Sequence, residues 1–346
     1  GGGGCRGGRE GGGGEGGGGG EGGGGGGREG GGGGQGCGQG PEVWRLQARR
    51  RAGGGETGQG GEAGQGGEAG QNGNADLIRG LNSLYMGHSY FRKQAEAMQE
   101  YAEIAEIEDH QSTSHFWGGL NGSAAAIWEN VSAPDSQATI KGSLDAGDID
   151  MFGMTIFVEF DVPEDDIKHI DRQTQGLKNW IEYAIAQNPN TIFFVALPWL
   201  GRPLDYVGDT GDPQTSGHEA YRETILESEA GIKVLIDELR DTFPDSEIFL
   251  LPYGQGSAEL RTLYNAGNLP DVDTLVSNGD LLGIHSDTHG HAEQLLTDLN
   301  SLIWLKSIYN YDVLQFSKDY TYETDIKQIA HDVTNRQDPA YTRQFE

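Results

Sequence analysis

The sequence predicts an α/β domain in three layers, α/β/α, with a mostly parallel five-stranded sheet between two layers of helices. Short apolar runs, typical of buried strands, alternate along the chain with longer segments of helical periodicity. Residues 76–346 are also numerous enough to bury one sizeable core. This strand-helix alternation is typical of doubly wound, flavodoxin-like sheets, whose functional sites lie at the carboxyl ends of the strands.

Five segments are predicted to be strands, and the second of them, which is largely polar, is the weakest candidate. They are Ser83–Met86, His110–Trp117, Ile149–Val158, Ile192–Leu197 and Ile248–Leu251. The last two are continuously apolar, and each is followed by a proline (Pro198 and Pro252). An unbroken apolar run that ends at a proline is typical of a strand buried on both faces.

Helical periodicity is found between these runs. The predicted helices are Phe91–Glu108, Gly122–Glu129, Asp135–Leu144, Asp165–Gln187, Glu219–Asp241 and Ala292–Tyr309. We expect the last of them to close the domain. The segment Asp205–Glu219, rich in Gly, Asp, Pro and Thr, is predicted to be a long surface loop and a candidate lid.

Residues 1–75 differ in composition from the rest of the chain. They contain 40 of the 60 glycines, and residues 60–71 repeat the letters GGEAGQ. So little apolar surface cannot offset the entropy lost on ordering. We therefore expect a disordered, low-complexity tail over 1–75 and one folded domain over 76–346. Because the first residue is glycine and not methionine, the sequence does not establish the true N-terminus.

Charge and cysteine content exclude several classes of protein. The tail has seven basic and eight acidic residues, so nearly all of the net charge of −29 belongs to the folded part. Such a field repels nucleic acids and anionic membranes. Cys5 and Cys37 both lie in the tail, so the domain has no disulfide and no cysteine nucleophile. No apolar run reaches the roughly 18 residues of a membrane span, so we expect a soluble protein of unknown compartment and oligomeric state.

A candidate nucleophile follows the first predicted strand. The chain reads Gly87-His88-Ser89-Tyr90-Phe91, and a helix begins at once. A serine on this turn lies beside the free N–H groups of a helix N-terminus, which suits a nucleophile whose attack creates an oxyanion. The alternative is that Ser89 is the N-cap of the helix, a common role for serine.

A candidate acid and base lie just before the last predicted helix. Asp287, with His289 or His291, supplies a carboxylate that orients an imidazole and an imidazole that accepts a proton. The alternative is a polar loop in which Asp287 caps a helix. In an extended segment, His285 would share one side with these three residues. This arrangement suits Zn²⁺ and supports a second hypothesis, a metal-dependent hydrolase.

Three motifs in this order resemble the SGNH/GDSL superfamily of serine hydrolases. They are Gly87-His88-Ser89, the GGLNGS segment Gly118–Ser123, and the DTHGHA segment Asp287–Ala292. The resemblance covers residues 77–309 and implies the SGNH-hydrolase fold. It further implies Ser89 as nucleophile, Asp287 as acid, and the N–H groups of Ser89 and Gly122 as oxyanion donors.

The same resemblance leaves two candidates for the base. The family spaces its acid and base as D-x-x-H, whereas this chain has His289 two residues and His291 four residues after Asp287. His291 is preferred, because its Gly-His-Ala context is closest to that of the family. The third predicted strand also lacks the asparagine that serves the family as third oxyanion donor, and Asn121 is the candidate replacement. These departures motivate a third hypothesis, a non-catalytic binding protein on the same scaffold.

Three further residues are predicted to form the substrate pocket. Trp199 and Arg202 follow the fourth strand and offer an aromatic face and a guanidinium, and His88 precedes the nucleophile. Trp199 packed on the core is the alternative. The leading hypothesis is a serine hydrolase without metal or cofactor that acts on a small-molecule or carbohydrate ester. An acetyl ester of a carbohydrate is favoured because of Trp199 and the acidic surface.

Overall fold

Five parallel strands form the central sheet of the protein. The computed structural model describes residues 78–157, 163 and 165–345. The strands are β1 (Asn82–Gly87), β2 (Gln111–Phe116), β3 (Met151–Thr155), β4 (Ile192–Ala196) and β5 (Ile248–Leu251). They pair in the order β2-β1-β3-β4-β5, which is the flavodoxin-like order. The predicted fold class is confirmed, whereas the predicted tail of residues 1–75 lies outside the described residues.

Helices cover both faces of this sheet. They are α1 (Ser89–Ile104), α2 (Ala124–Trp128), α3 (Ser136–Leu144), α4 (Ile170–Gln187), α5 (His218–Thr242), α6 (Gly254–Asn265), α7 (Gln294–Tyr309) and α8 (Ile326–Asn335). The expectation that the helix ending at Tyr309 closes the domain is wrong, because α8 follows it and buries Ile326, Ala330 and Val333. The first helix also ends before the predicted Glu108, since Glu106 adopts a positive φ of 56°.

Alternation along the strands divides the core into two halves, because successive side chains point to opposite faces of a sheet. Tyr85, Phe194 and Phe249 pack with residues of α1, α7 and α8. On the other face, Phe152 and Phe193 pack with residues of α2 to α5. Both faces of β3, β4 and β5 are buried, which explains why these strands are almost continuously apolar, whereas the edge strand β2 is polar and partly exposed. The carboxyl edge of the sheet is thus held rigidly from both sides.

A small second sheet shapes the loop that precedes α7. Its parallel strands are β6 (Thr274–Val276) and β7 (Gly283–His285). The chain then turns back, and the N–H of Ser286 donates to the carbonyl of His291 at 2.7 Å. Residues 286–291 therefore form a closed turn. The helix after them begins at Gln294, two residues later than predicted.

The predicted surface loop Asp205–Glu219 is held against α6. Arg261 of α6 is 1% exposed. Its guanidinium donates to the carbonyl oxygens of Pro203, Tyr206 and Ser216. Three carbonyls on one planar donor group tie together backbone that a loop of this length would otherwise leave free. The candidate lid is thus anchored at both ends of the loop.

Candidate active site

Ser89 is the first residue of α1 and lies at the carboxyl end of β1. His88, and not Ser89, is the N-cap residue of this helix, because the Nδ1 atom of His88 accepts a hydrogen bond from the N–H of Tyr90 at 3.3 Å. The hydroxyl of Ser89 is therefore not used in capping. Among the hydrogen bonds of the described residues, none uses the N–H of Ser89, as is usual for the first N–H groups of a helix.

A continuous chain of hydrogen bonds leads from Ser89 into the turn before α7. The Oγ atom of Ser89 lies 2.8 Å from Nε2 of His291. The Nδ1 atom of the same imidazole lies 2.6 Å from Oδ2 of Asp287. The three side chains thus have the order hydroxyl, imidazole, carboxylate, in which a carboxylate orients the imidazole that accepts a hydroxyl proton.

The turn holds Asp287 in place through its second oxygen. Oδ1 accepts the N–H groups of His289 and Gly290 at 3.0 Å and of His291 at 3.2 Å. Partial burial opposes ionisation, but the hydrogen bonds from the His291 ring and from these N–H groups outweigh it and lower the pKa of Asp287. Gly290 has a φ of 96°, which favours glycine and lets His291 return to its acid partner.

His289 lies outside this chain of hydrogen bonds. Its ring centroid is 6.3 Å from that of His291. Its backbone carbonyl accepts hydrogen bonds from the hydroxyl of Tyr90 and, at 3.1 Å, from the N–H of Arg202. The structure therefore brings Ser89 together with His291 and not with His289.

The segment His285–His291 does not have the extended geometry on which the metal hypothesis depends. His285 lies in β7, is 1% exposed, and its Nδ1–H donates to the carbonyl of Gly290 at 3.1 Å. The imidazole of His291 is directed at Ser89. The alternating residues thus do not share one side, and within residues 78–157, 163 and 165–345 no group of three His, Cys, Asp or Glu side chains could hold a metal ion.

Gly122 packs directly on the turn that carries Ser89. A Cβ atom at this position would lie 2.4 Å from the carbonyl oxygen of Gly87 and 2.6 Å from Cα of His88. Only glycine allows this approach of the two backbones. Asn121 is exposed, and its N–H donates to the carbonyl of Gly118. Among the described hydrogen bonds, none links the Asn121 side chain to the site.

His88 is part of the scaffold and not of the substrate pocket. It is 3% exposed, and its Nε2 lies 3.4 Å from Oγ1 of Thr155 at the end of β3. Burial, together with the charge of His291, lowers the pKa of His88 to about 4, so the ring is neutral at pH 7. Its imidazole links the ends of β1 and β3. Val158, the last residue of the third predicted strand, lies outside the described part of the chain.

Three buried histidines make stability depend on pH. Burial is the main cause that lowers the pKa of His88, His110 and His285 to about 4, whereas an unfolded chain binds the proton near 6.5. Between these values the unfolded state holds more protons. The free energy of unfolding therefore falls from pH 7 towards pH 4, by about 3 kcal/mol for each histidine. Urea unfolding at several pH values measures this slope.

A variant of His285 tests the assignment. His285→Gln retains an N–H donor for the Gly290 carbonyl but does not titrate, so the slope should become shallower. His331→Gln on α8 is the matched control. Equal slopes for the wild type and His285→Gln would contradict the prediction.

A cavity of about 290 Å³ opens beside Ser89. Its lining consists of Ser89, Tyr90, Arg92, Lys93, Glu96, Trp199, His291 and Ala292. Trp199 is 2% exposed, its ring stacks on Tyr90 at 5.0 Å, and its Nε1–H donates to the carbonyl of Gly290 at 2.7 Å. The face of Trp199 is therefore covered by Tyr90. Arg202 is exposed and lies outside the lining, which corrects its predicted role in the pocket.

The sequence reasoning missed the pocket residues on α1. Tyr90, Lys93 and Glu96 lie one, four and seven residues after Ser89, and a spacing of three to four residues returns to one helix face. A helix that begins at the nucleophile can present one face of its first two turns to the site. That signal was available in the sequence once Ser89 had been chosen.

Tyr90 ties α1 to the turn that carries the acid and base. Its hydroxyl donates to the carbonyl of His289, and its ring lies edge-on to that of His291, with centroids 5.4 Å apart. Burial, the largest cause, raises the pKa of Tyr90 to about 12, so the hydroxyl keeps its proton at pH 7. We expect Tyr90→Phe to lower the kcat of a reaction at Ser89 about fivefold, because about 1 kcal/mol of tethering is lost.

The kinetic parameters distinguish tethering from substrate binding. If Tyr90 positions the turn, kcat falls in Tyr90→Phe while KM stays near the wild-type value. Tyr264→Phe, which removes a hydroxyl distant from Ser89, is the control. A rise in KM alone would assign Tyr90 to binding instead.

Comparisons with known proteins give distant matches of overall shape. No protein-family model and no curated protein matches the chain. A DUF4886 family protein from Bacteroides uniformis has a TM-score of 0.47 and 11% identity, over 74% of this chain and 93% of its own. A GDSL-like lipase from Parabacteroides merdae has a TM-score of 0.38 and 11% identity, over 67% and 96%.

A third match is the periplasmic domain of a lipopolysaccharide acetyltransferase from Salmonella Paratyphi A. Its TM-score is 0.38 and its identity 12%, over 68% of this chain and 84% of its own. At such values these likenesses do not decide function, which has to be inferred from the side chains of the site. In the part of the chain that the structure describes, no helix combines the length and the apolar character needed to cross a membrane.

Proposed function

We propose that this protein is a serine hydrolase that cleaves an ester through an acyl-enzyme on Ser89. The observation that carries the proposal is the chain of hydrogen bonds from Ser89 through His291 to Asp287, at 2.8 and 2.6 Å, beside an open cavity. A serine that only caps a helix, or a histidine that only faces solvent, would not require this sequence of hydroxyl, imidazole and carboxylate. The order suits the transfer of a proton from a nucleophile to a base that a carboxylate orients.

The first half of the reaction forms the acyl-enzyme. The Oγ atom of Ser89 attacks the ester carbonyl while its proton passes to Nε2 of His291. Asp287, kept ionised by its hydrogen bonds, stabilises the imidazolium through Nδ1–H. As the tetrahedral intermediate collapses, the bond to the leaving alcohol breaks, and His291 returns the proton to that alcohol oxygen.

The second half uses the same groups on water. His291 accepts a proton from a water molecule, the hydroxide attacks the acyl carbon, and the bond to Ser89 Oγ breaks. The proton returns to Ser89, and the carboxylic acid leaves. The N–H groups of Ser89 and Gly122 are the proposed donors to the oxyanion, and each donor of this type contributes about 100- to 1,000-fold to the rate.

An acetyl ester of a carbohydrate remains the favoured substrate. A cavity of about 290 Å³ is at the small end of ligand pockets, which favours a short acyl group. Tyr90, held in place by stacking on Trp199, supplies an aromatic surface for a sugar ring. The alternative of a binding protein on the same scaffold is favoured by one observation only, that no asparagine is among the residues that line the cavity.

Covalent labelling tests the proposal. The full chain is treated with a fluorophosphonate probe, and the adduct is located by intact mass and peptide mapping. We expect one adduct, on Ser89, that is lost in Ser89→Ala and retained in Ser112→Ala, a control on the edge strand β2. A folded protein that takes up no probe would overturn the serine mechanism and favour the binding protein.

A further inference from the structure

The wall of the cavity beside Ser89 carries cations, although the chain has a net charge of −29. Arg92 and Lys93 line it together with one carboxylate, Glu96. Arg92 is paired with Glu96, with Nε 2.7 Å from Oε1. The two charges of that pair largely cancel at a distance. Lys93 therefore decides the sign of the charge at the cavity.

Lys93 retains the capacity to bind an anion. Its ammonium group donates to the carbonyl of Ala292 at 2.6 Å, which uses one of three N–H groups. Among the ion pairs of the described residues, none includes Lys93. Its side chain is exposed and lies in the same wall as the nucleophile, so two donors remain for a ligand.

The surrounding groups add to this positive charge. The first turn of α1 contains no acidic residue, so the partial positive charge of the helix N-terminus at Ser89 is not neutralised there. The ionised carboxylate of Asp287 is not part of the lining and lies behind the imidazole of His291. One end of the cavity can therefore accommodate a negative charge, although the protein as a whole is acidic.

We propose that the ester cleaved at Ser89 carries a carboxylate, which Lys93 binds at the mouth of the cavity. This inference rests on the proposed function and names its substrate class. One unpaired ammonium matches a single negative charge, whereas a dianionic phosphate would meet the repulsion of the whole protein with no second free cation in the lining. The apolar surface of Tyr90 and Ala292 contacts the uncharged part of the substrate.

Matched pairs of esters test this substrate class. The 4-nitrophenyl monoester of succinate carries a carboxylate on the acyl side, and 4-nitrophenyl levulinate is its neutral isostere. The acetyl ester of 3-hydroxybenzoate carries the carboxylate on the alcohol side, and the corresponding benzamide is neutral. We expect kcat/KM for the anionic member of one pair to exceed that of the neutral member about tenfold, and the pair concerned shows which side faces Lys93.

Two variants should change this ratio in opposite directions. Lys93→Gln should reduce the ratio to about one or below, whereas Glu96→Gln should increase it by removing the carboxylate from the wall. Lys327→Gln is the matched control, because that lysine also donates to a single backbone carbonyl, at 2.6 Å, but lies on α8. It should leave the ratio unchanged.

The outcomes separate this inference from the function on which it rests. If Ser89 takes up the fluorophosphonate and neutral esters are cleaved, but neither pair shows a preference, only the anionic substrate is overturned. If Lys93→Gln slows both members of each pair equally, Lys93 acts only through the Ala292 carbonyl, and the inference is likewise overturned. If Ser89 takes up no probe and no ester is cleaved, both proposals fail.

Discussion

Replacing His291 by alanine should lower kcat/KM for ester hydrolysis by about four orders of magnitude or more. The Nε2 atom of His291 lies 2.8 Å from the Ser89 hydroxyl, and no other imidazole of the turn has this position. Without the ring, no general base accepts the hydroxyl proton, which must then pass to water. KM should change little, because the ring acts mainly in the transition state.

His289→Ala is the matched control for this variant, since both histidines lie in one turn but only the ring of His291 is hydrogen-bonded to Ser89. We expect its kcat/KM to stay within about threefold of the wild-type value, because the contact of His289 with α1 runs through its backbone carbonyl. Steady-state kinetics with a chromogenic acetate ester measures both. Loss of activity in His289→Ala with retention in His291→Ala would reverse the assignment of the base.

The second large effect is expected for Asp287→Asn, with a loss of about 10⁴-fold in kcat. The Asn Oδ1 atom can still accept the three N–H groups that Asp287 accepts, so the turn keeps its shape. Its side-chain NH₂ would then face Nδ1 of His291. Because that NH₂ can only donate, it would favour the tautomer in which Nε2 carries the proton, and His291 could no longer accept a proton from Ser89.

Two measurements separate this effect from unfolding. The thermal unfolding midpoint of Asp287→Asn should stay close to that of the wild type, whereas its labelling by the fluorophosphonate should slow together with kcat. Asp280→Asn, a substitution in the nearby β6–β7 connection, is the control for the loss of one negative charge. Activity within tenfold of the wild type in Asp287→Asn would show that the carboxylate does not orient the base.

Strands were easier to predict than helix boundaries in this chain. Ile248–Leu251 is predicted and observed with the same limits, because a strand buried on both faces is an unbroken apolar run between polar turns. By contrast, α6 was not predicted. Its sequence contains Gly254 and Gly256, which lower helix propensity, and it is stabilised by packing on α5 and α7 that the local sequence does not show.

The choice between His289 and His291 shows why site geometry is harder to predict than site composition. Sequence spacing alone fits both, since each lies within four residues of Asp287. The positive φ of Gly290 and the three N–H groups gathered on Asp287 decide which ring returns to the carboxylate. Such a turn depends on side-chain and backbone hydrogen bonds together, which residue types alone do not specify.

The residues that line the cavity were harder still to predict, because their positions depend on tertiary contacts. Trp199 was expected to present its ring to a substrate, but Tyr90 covers its face. Arg202 was expected in the lining, whereas Lys93 of α1 is there instead. Both outcomes follow from the way α1 packs on the β4–α5 connection, and no property of either segment alone contains that information.

The sequence by itself determined the three-layer class, the five strands of the central sheet, and the residues Ser89, Asp287 and His291 as candidates for chemistry. These follow from local patterns, because apolar periodicity and the ends of predicted strands can be read along one segment at a time. Only the tertiary structure decided which histidine faces the serine, which side chains surround the cavity, and what charge its wall carries. Those properties depend on contacts between residues about 200 positions apart, such as that of Ser89 with His291, and arise only when the sheet and helices pack together.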